Sequence, residues 1–244
     1  MDFETDEAAR LSAEAFARQF AATAEDVLGP RLQGAYLLGS LAHGGFNRRY
    51  SDLDFGVVID DGFRDGELET IRTRVGELSP FWAGRLSVFW SDTQFAVGRF
   101  PPLDRIDYLD HSIAIIERER FEPARPTLGE LRAYLGGTPF ENWAATALRL
   151  SSSSQFADKD HKAYVRAHLY PARFWLSWHT GRIASNDDAV EFVKRQASHG
   201  GLNVASIERA LDCRRETADP VELWHDRHAL LQQVEACRGL IART

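Results

Sequence analysis

Scarcity says as much about this chain as abundance. Its 244 residues include only two cysteines, Cys213 and Cys237. Both fall in helix-like sequence without metal-ligand spacing around them. That argues against a disulfide framework and a thiolate zinc site, and leaves free buried thiols in a reducing compartment. No apolar run approaches the ~20 residues a helix needs to cross a bilayer. A basic-then-apolar leader is also missing, since Asp2, Glu4, Asp6 and Glu7 stand where a signal peptide carries positive charge. A cytoplasmic protein with no membrane partner is expected. Positive charge is in short supply, with 29 Lys+Arg against 36 Asp+Glu and a net charge of −7. Gripping a polynucleotide rests on neutralising its phosphates, so no polynucleotide partner is expected and a small, readily cationic ligand is favoured. Neither G-x-x-x-x-G-K-[ST] nor G-x-G-x-x-G occurs, and no repeat or low-complexity block is visible.

What is present divides the chain in two. Residues 5–28 carry helical periodicity, with Thr5 as a cap and apolar positions at Ala8, Leu11, Ala15, Phe16, Phe20, Ala24 and Val27. Gly29-Pro30 ends that helix. Strands are expected over 34–38, 52–59 and 85–90, and a fourth within 106–116, ending in Ile113-Ala114-Ile115-Ile116. Helices are expected from Ser40 and over 66–78. From Thr127 onward the periodicity is helical, interrupted at Gly136-Gly137, Ser151–Ser154, Gly181, Gly200-Gly201 and Pro220. Pro171, inside a helical stretch, predicts a kink near His168. The expected fold class is α/β, a mixed α+β sheet domain over 1–125, followed by an all-helical bundle over 126–244.

The densest signal is Leu37-Leu38-Gly39-Ser40-Leu41-Ala42-His43-Gly44-Gly45, followed by Ser51-Asp52-Leu53-Asp54-Phe55-Gly56-Val57-Val58. Residues i and i+2 of a strand share a face, so Asp52 and Asp54 project together, ~7 Å apart at Cα. Leu53, Phe55 and Val57 face the core. Two like charges on one face favour a hard cation with oxygen ligands. Gly56 leaves the carboxylate face without a side chain, and so with room for an approaching group. Gly39 lets backbone pass close to a ligand. Ser40 opens a helix whose N–H groups favour an anion, and Arg48 and Arg49 are further phosphate candidates. The plainer alternative is a capped strand-to-helix turn beside two solvated strand-end acids. Order and spacing together favour Mg2+ and a nucleoside triphosphate.

Gly-Ser, about ten residues, then Ser-Asp-x-Asp resembles the motif of the DNA polymerase β nucleotidyltransferase superfamily, most nearly its small antibiotic-modifying members. A second stretch runs Ala172-Arg173-Phe174-Trp175-Leu176-Ser177-Trp178-His179-Thr180-Gly181-Arg182-Ile183-Ala184. It resembles a helix of the streptomycin/spectinomycin adenylyltransferases, where Ala-Arg-aromatic-Trp precedes Thr-Gly-Lys-Ile-Ala. Lincosamide nucleotidyltransferases are further relatives in kind. The resemblance implies a nucleotidyltransferase domain and a helical substrate-side domain. It implies Mg2+ held by Asp52 and Asp54, ATP as donor, and AMP transfer to a hydroxyl of a small molecule such as an aminoglycoside or lincosamide. By the same resemblance Gly39, Ser40, Ser51 and Arg173 contact the nucleotide. The family's second basic residue falls on Asn186, and Arg182 is the candidate to replace it.

The chain departs from the family in one respect. The third carboxylate belongs on a later strand, where Arg85 or Ser87 stands, depending on register, with Asp92 just beyond. Glu141 is the preferred substitute base, though it equally suits a solvated first-turn acid favoured by the helix dipole. Asp104, Asp107 and Asp110 are lesser candidates. Without the third acid, a nucleotide-binding protein with degenerate catalysis is the second reading, and AMP transfer to a protein the third. Trp90, Trp143, Trp175 and Trp178 suit core packing more than a ligand platform. His43 is the histidine nearest the motif. Asp158, Asp160, Asp187 and Asp188 suit either a cationic acceptor or solvated helix ends.

Overall fold

The structure is a computed structural model that describes residues 5–157 and 160–243. It divides into two compact units, Met1–Arg125 and Pro126–Thr244.

The first unit opens on α1, Asp6–Leu28, whose N-cap Thr5 accepts the Ala8 N–H at 3.1 Å. Its buried stripe is Ala9, Ala13, Phe16, Ala17, Phe20, Ala24 and Leu28. The expected stripe was one position off at the start, since Ala8 and Ala15 are exposed and Leu11 is 53% exposed. Alanine is ambiguous in a periodicity argument, because it suits either face of a helix. Five strands follow: β1 Leu32–Leu38, β2 Leu53–Ile59, β3 Leu86–Asp92, β4 Gly98–Arg99 and β5 Ile113–Glu117. They form one mixed sheet in the order β4-β3-β2-β1-β5, in which β2 and β3 are parallel and the other neighbours antiparallel.

Alternation sorts β2 onto two faces. Leu53, Phe55, Val57 and Ile59 join Leu37, the α1 stripe, and Ile71 and Val75 of α3 (Glu67–Leu78) in one core. Tyr36, Leu38 and Val58 belong to the other face, with Phe95, Phe100 and Tyr108. Between β1 and β2 lies α2, a single turn over Ser40–His43. The short α4 (Pro80–Ala83) precedes β3. Residues 102–111 are helical, α5 Pro102–His111, so the fourth expected strand is confined to β5. Pro102 at the first helical position is the local signal for that start.

The second unit is helical: α6 Leu128–Gly136, α7 Thr138–Ser151, α8 His161–Thr180, α9 Asn186–Lys194, α10 Val204–Arg214, α11 Val221–His225 and α12 Ala229–Ile241. A reciprocal capping box starts α6, in which Thr127 Oγ1 accepts the Glu130 N–H and Glu130 Oε2 accepts the Thr127 N–H. The buried hub is α8, which packs on each of the other helices of this unit. It runs on through Pro171, whose missing N–H frees the Ala167 carbonyl. The Trp143 indole Nε1 donates to that oxygen at 2.9 Å while its ring stacks on Tyr170. Gly181, at φ 68°, ends the helix. Among the described residues no helix is long and apolar enough to cross a membrane.

Candidate active site

At the end of β1 the chain turns through Gly39 at φ 64°, ψ −152°, a region essentially restricted to glycine. Space imposes the same choice, because a Cβ at this position would lie 2.3 Å from Asp54 Oδ2. Strand pairing explains the approach: Leu38 is opposite Asp54, so the turn leaving β1 lies against the carboxylate near the start of β2. The loop after α2 braces this corner. Ser40 Oγ donates to Ser51 Oγ at 3.0 Å, and the buried Ser51 also accepts the Asn47 N–H at 2.9 Å. Asn47 Oδ1 accepts the N–H groups of Arg49 and Tyr50, an Asx-type turn. Asp6 accepts the Arg48 N–H at 2.8 Å. Arg49 is exposed and Arg48 half-buried. The rings of His43 and His111 are 5.7 Å apart.

Asp52 and Asp54 are half-buried on either side of the fully buried Leu53. Parallel pairing places Ser87 opposite Asp54 and Leu86 opposite Leu53, so the third-acid position on β3 holds a serine. Arg85 lies close enough to Asp52 to feel its charge. Its guanidinium donates to the Arg48 carbonyl at 2.6 Å and covers the Phe81 ring. Burial holds its pKa below the ordinary arginine value, with Asp52 opposing. Asp92 pairs with Ile59 at the far end of β2, about 16 Å from the Asp54 level by strand rise. There it caps the turn into β4 by accepting the Ala96 N–H at 2.7 Å. The room expected over Gly56 is already filled, since a Cβ there would stand 3.3 Å from both Leu38 Cδ1 and Phe100 Cζ.

Two further acids bearing on this corner sit on α5. Asp107, 3% exposed, accepts the Gly39 N–H on Oδ2 at 2.6 Å, and its Oδ1 is buried without a hydrogen-bond partner. Asp104 stands one helical turn earlier. Burial pushes its carboxyl up to about 7, with the charges of Asp54 and Asp107 adding and Arg99 opposing. Asp110 points elsewhere, into an ion pair with Arg125. The Gly39 N–H, a candidate phosphate donor, is therefore engaged by Asp107. Among the described residues, no three His, Cys, Asp or Glu side chains converge closely enough to hold a metal by themselves.

The helical-unit candidates lie within their own unit. Glu141 is an exposed residue of the first turn of α7, Arg173 is exposed on α8, and Arg182 is exposed just past Gly181. Arg182 lines a cavity of about 490 Å³ with Thr180, Asp188, Phe192 and Arg195. Trp175 and Trp178 are buried core residues, as is Trp143. Asp187 pairs with Arg215, and Asp188 accepts the Ser185 hydroxyl at 2.7 Å. Asp160 is half-buried beside α8, and Asp158 lies outside the described residues.

The first unit is built on a mixed five-stranded sheet and the second is helical. No protein-family model and no curated protein sequence matches this chain. Among solved structures, the chain is similar to spectinomycin adenyltransferase AAD(9) from Enterococcus faecialis, crystallised with ATP and spectinomycin. The match has a TM-score of 0.62 and covers 94% of this chain and 98% of that one, at 14% sequence identity. A likeness at that identity establishes the fold.

Proposed function

We propose that this protein is a nucleotidyltransferase that moves AMP from ATP to a hydroxyl of a small molecule, with an aminoglycoside or lincosamide as the acceptor class. The observation that carries this reading is the contact between the Gly39 turn and Asp54, where only a missing Cβ permits the approach. A phosphate chain set against that turn meets a carboxylate at once, and the two anions need a cation between them. Mg2+ commonly takes one or two carboxylates and completes its shell with phosphate oxygens and water. Asp52 and Asp54 fit that role without a third protein ligand, and oxygen donors alone suit the ion. When bound, Mg2+ neutralises phosphate charge and stabilises the entering and leaving oxygens.

The chain's own residues do the positioning. Gly39 admits the phosphates, and the Ser40–Ser51 hydroxyl pair offers them a donor. Asp52 and Asp54 hold the charge that orients the triphosphate. The acceptor oxygen attacks the α-phosphorus in line, the bond from that phosphorus to its bridging oxygen breaks, and pyrophosphate leaves. Arg173 and Arg182 are proposed phosphate contacts from the helical unit, and Glu141 the acceptor's base. Their support is the sequence resemblance.

Ser87 opposite Asp54 favours a second reading, nucleotide binding without transfer. Calorimetry with ATP and Mg2+, paired with pyrophosphate release on a panel of aminoglycosides and lincosamides, separates the two. Release on one acceptor establishes the transferase, whereas tight binding with no release on any acceptor favours the second reading. Metal-dependent ATP binding that survives Asp52→Ala with Asp54→Ala sinks both.

A further inference from the structure

We propose that α5 supplies the negative charge that β3 lacks, with Asp104 recruiting the divalent cation to Asp54 and Asp107 as the residue that positions the Gly39 turn. This rests on the reading of Asp52 and Asp54 as a cation site. The geometry runs through three contacts. Phe100, just before α5, packs over Gly56, on the same β2 face as Asp54. Asp107 takes the Gly39 N–H at 2.6 Å. Gly39 in turn lies against Asp54 Oδ2. Residues three apart on a helix share a face, so Asp104 stands on the side of α5 that Asp107 presents to this corner. The charges of Asp54 and Asp107 both act on its carboxyl.

A cluster of acids is not by itself a site. Asp107 provides the independent sign of a ligand, because it is 3% exposed and its Oδ1 has no donor. Buried polar atoms are almost always paired. A cation drawn to Asp54, or a water of its shell, supplies the missing positive partner. Asp104 acts in this scheme through charge and needs no direct bond to the ion. Outer carboxylates of metal sites typically govern affinity by 10–100-fold.

The test uses the full chain and Mn2+ alone, with bound ion followed by electron paramagnetic resonance and folding by circular dichroism. Asp104→Asn is expected to weaken Mn2+ binding about tenfold with the spectrum unchanged, and Asp104→Glu to restore it. Asp107→Asn keeps an oxygen for the Gly39 N–H and is expected to weaken Mn2+ less than Asp107→Ala does. If Asp104→Asn does not fold, Asp104→Ser carries the same expectation. Wild-type affinity in a folded, neutral Asp104 variant overturns the inference alone, provided Asp54→Asn has lost the ion. A folded wild-type protein that binds no Mn2+, with or without ATP, overturns the underlying cation-site reading as well.

Discussion

The two units commit their polar residues differently. In the sheet unit, Gly39 is bonded to Asp107, 68 positions on, Ser51 to both Ser40 and Asn47, and Asp54 lies against Gly39. In the helical unit, Glu141, Arg173 and Arg182 lie exposed, and the specificity of packing resides in the aromatic core around α8. One unit holds a built corner that tolerates little change. The other holds a packed scaffold whose candidate side chains stand at its surface. Chemistry that depends on geometry is therefore expected to reside in the sheet unit, and tuning in the helical one.

A glycine swap tests this contrast with the largest effect. Gly39→Ala introduces both a 2.3 Å clash with Asp54 Oδ2 and an unfavourable φ, a cost of at least about 1–3 kcal/mol from backbone strain alone. It is expected to abolish Mg2+-dependent ATP binding by calorimetry and to lower the denaturation midpoint. Gly136→Ala, at the end of α6, meets nothing nearer than 3.5 Å. It is expected to be neutral or stabilising by up to ~1 kcal/mol. Equal losses in the two variants would erase the distinction.

Acid is expected to act on the helical core. Burial lowers the His168 pKa from 6.5 to about 4, with the Arg209 charge pushing the same way. The ring is fully buried, with Nδ1 against Ser206 Oγ at 2.5 Å. A histidine whose folded pKa is depressed favours the fold above its unfolded value of 6.5. That contribution fades as pH falls from 6.5 towards 4, by up to roughly 3 kcal/mol. Urea denaturation from pH 7 to 4 should show this slope, and His168→Gln should flatten it.

Smaller effects follow. Trp143→Phe keeps the stacked ring but leaves the Ala167 carbonyl without its donor, and about 1–3 kcal/mol of stability should be lost with ATP affinity unchanged. Arg173→Ala, at an exposed position, should move stability by less than ~0.5 kcal/mol while weakening ATP binding. A shift in melting temperature without a change in affinity would place Arg173 with the scaffold.

Legibility followed the range of the interactions. β2, which begins one residue after Asp52 and carries Asp54, is readable because apolar-polar alternation is local, as is the helical periodicity from Thr127 onward. The Ile-rich run at 113–116 marks a strand within 106–116, but no helix is expected from the sequence at Pro102, which marks the start of α5. With the helix unseen, Asp104 and Asp107 rank only as lesser candidates for the missing acid, behind Glu141. An acid at i and i+3 behind a proline-started helix was the available signal. The room expected above Gly56 disappeared because Phe100, 44 positions away in sequence, packs into it.

The sequence by itself determined that a Gly-Ser turn precedes two acids at the head of a strand and that a helical unit follows, since both depend on patterns a few residues long. Only the tertiary structure decided that Ser87 sits opposite Asp54, that Asp107 takes the Gly39 N–H, and that Asp104 shares its helix face. Strand register and helix placement are set by burying distant apolar surfaces together, so which polar groups meet at the corner is a consequence of packing.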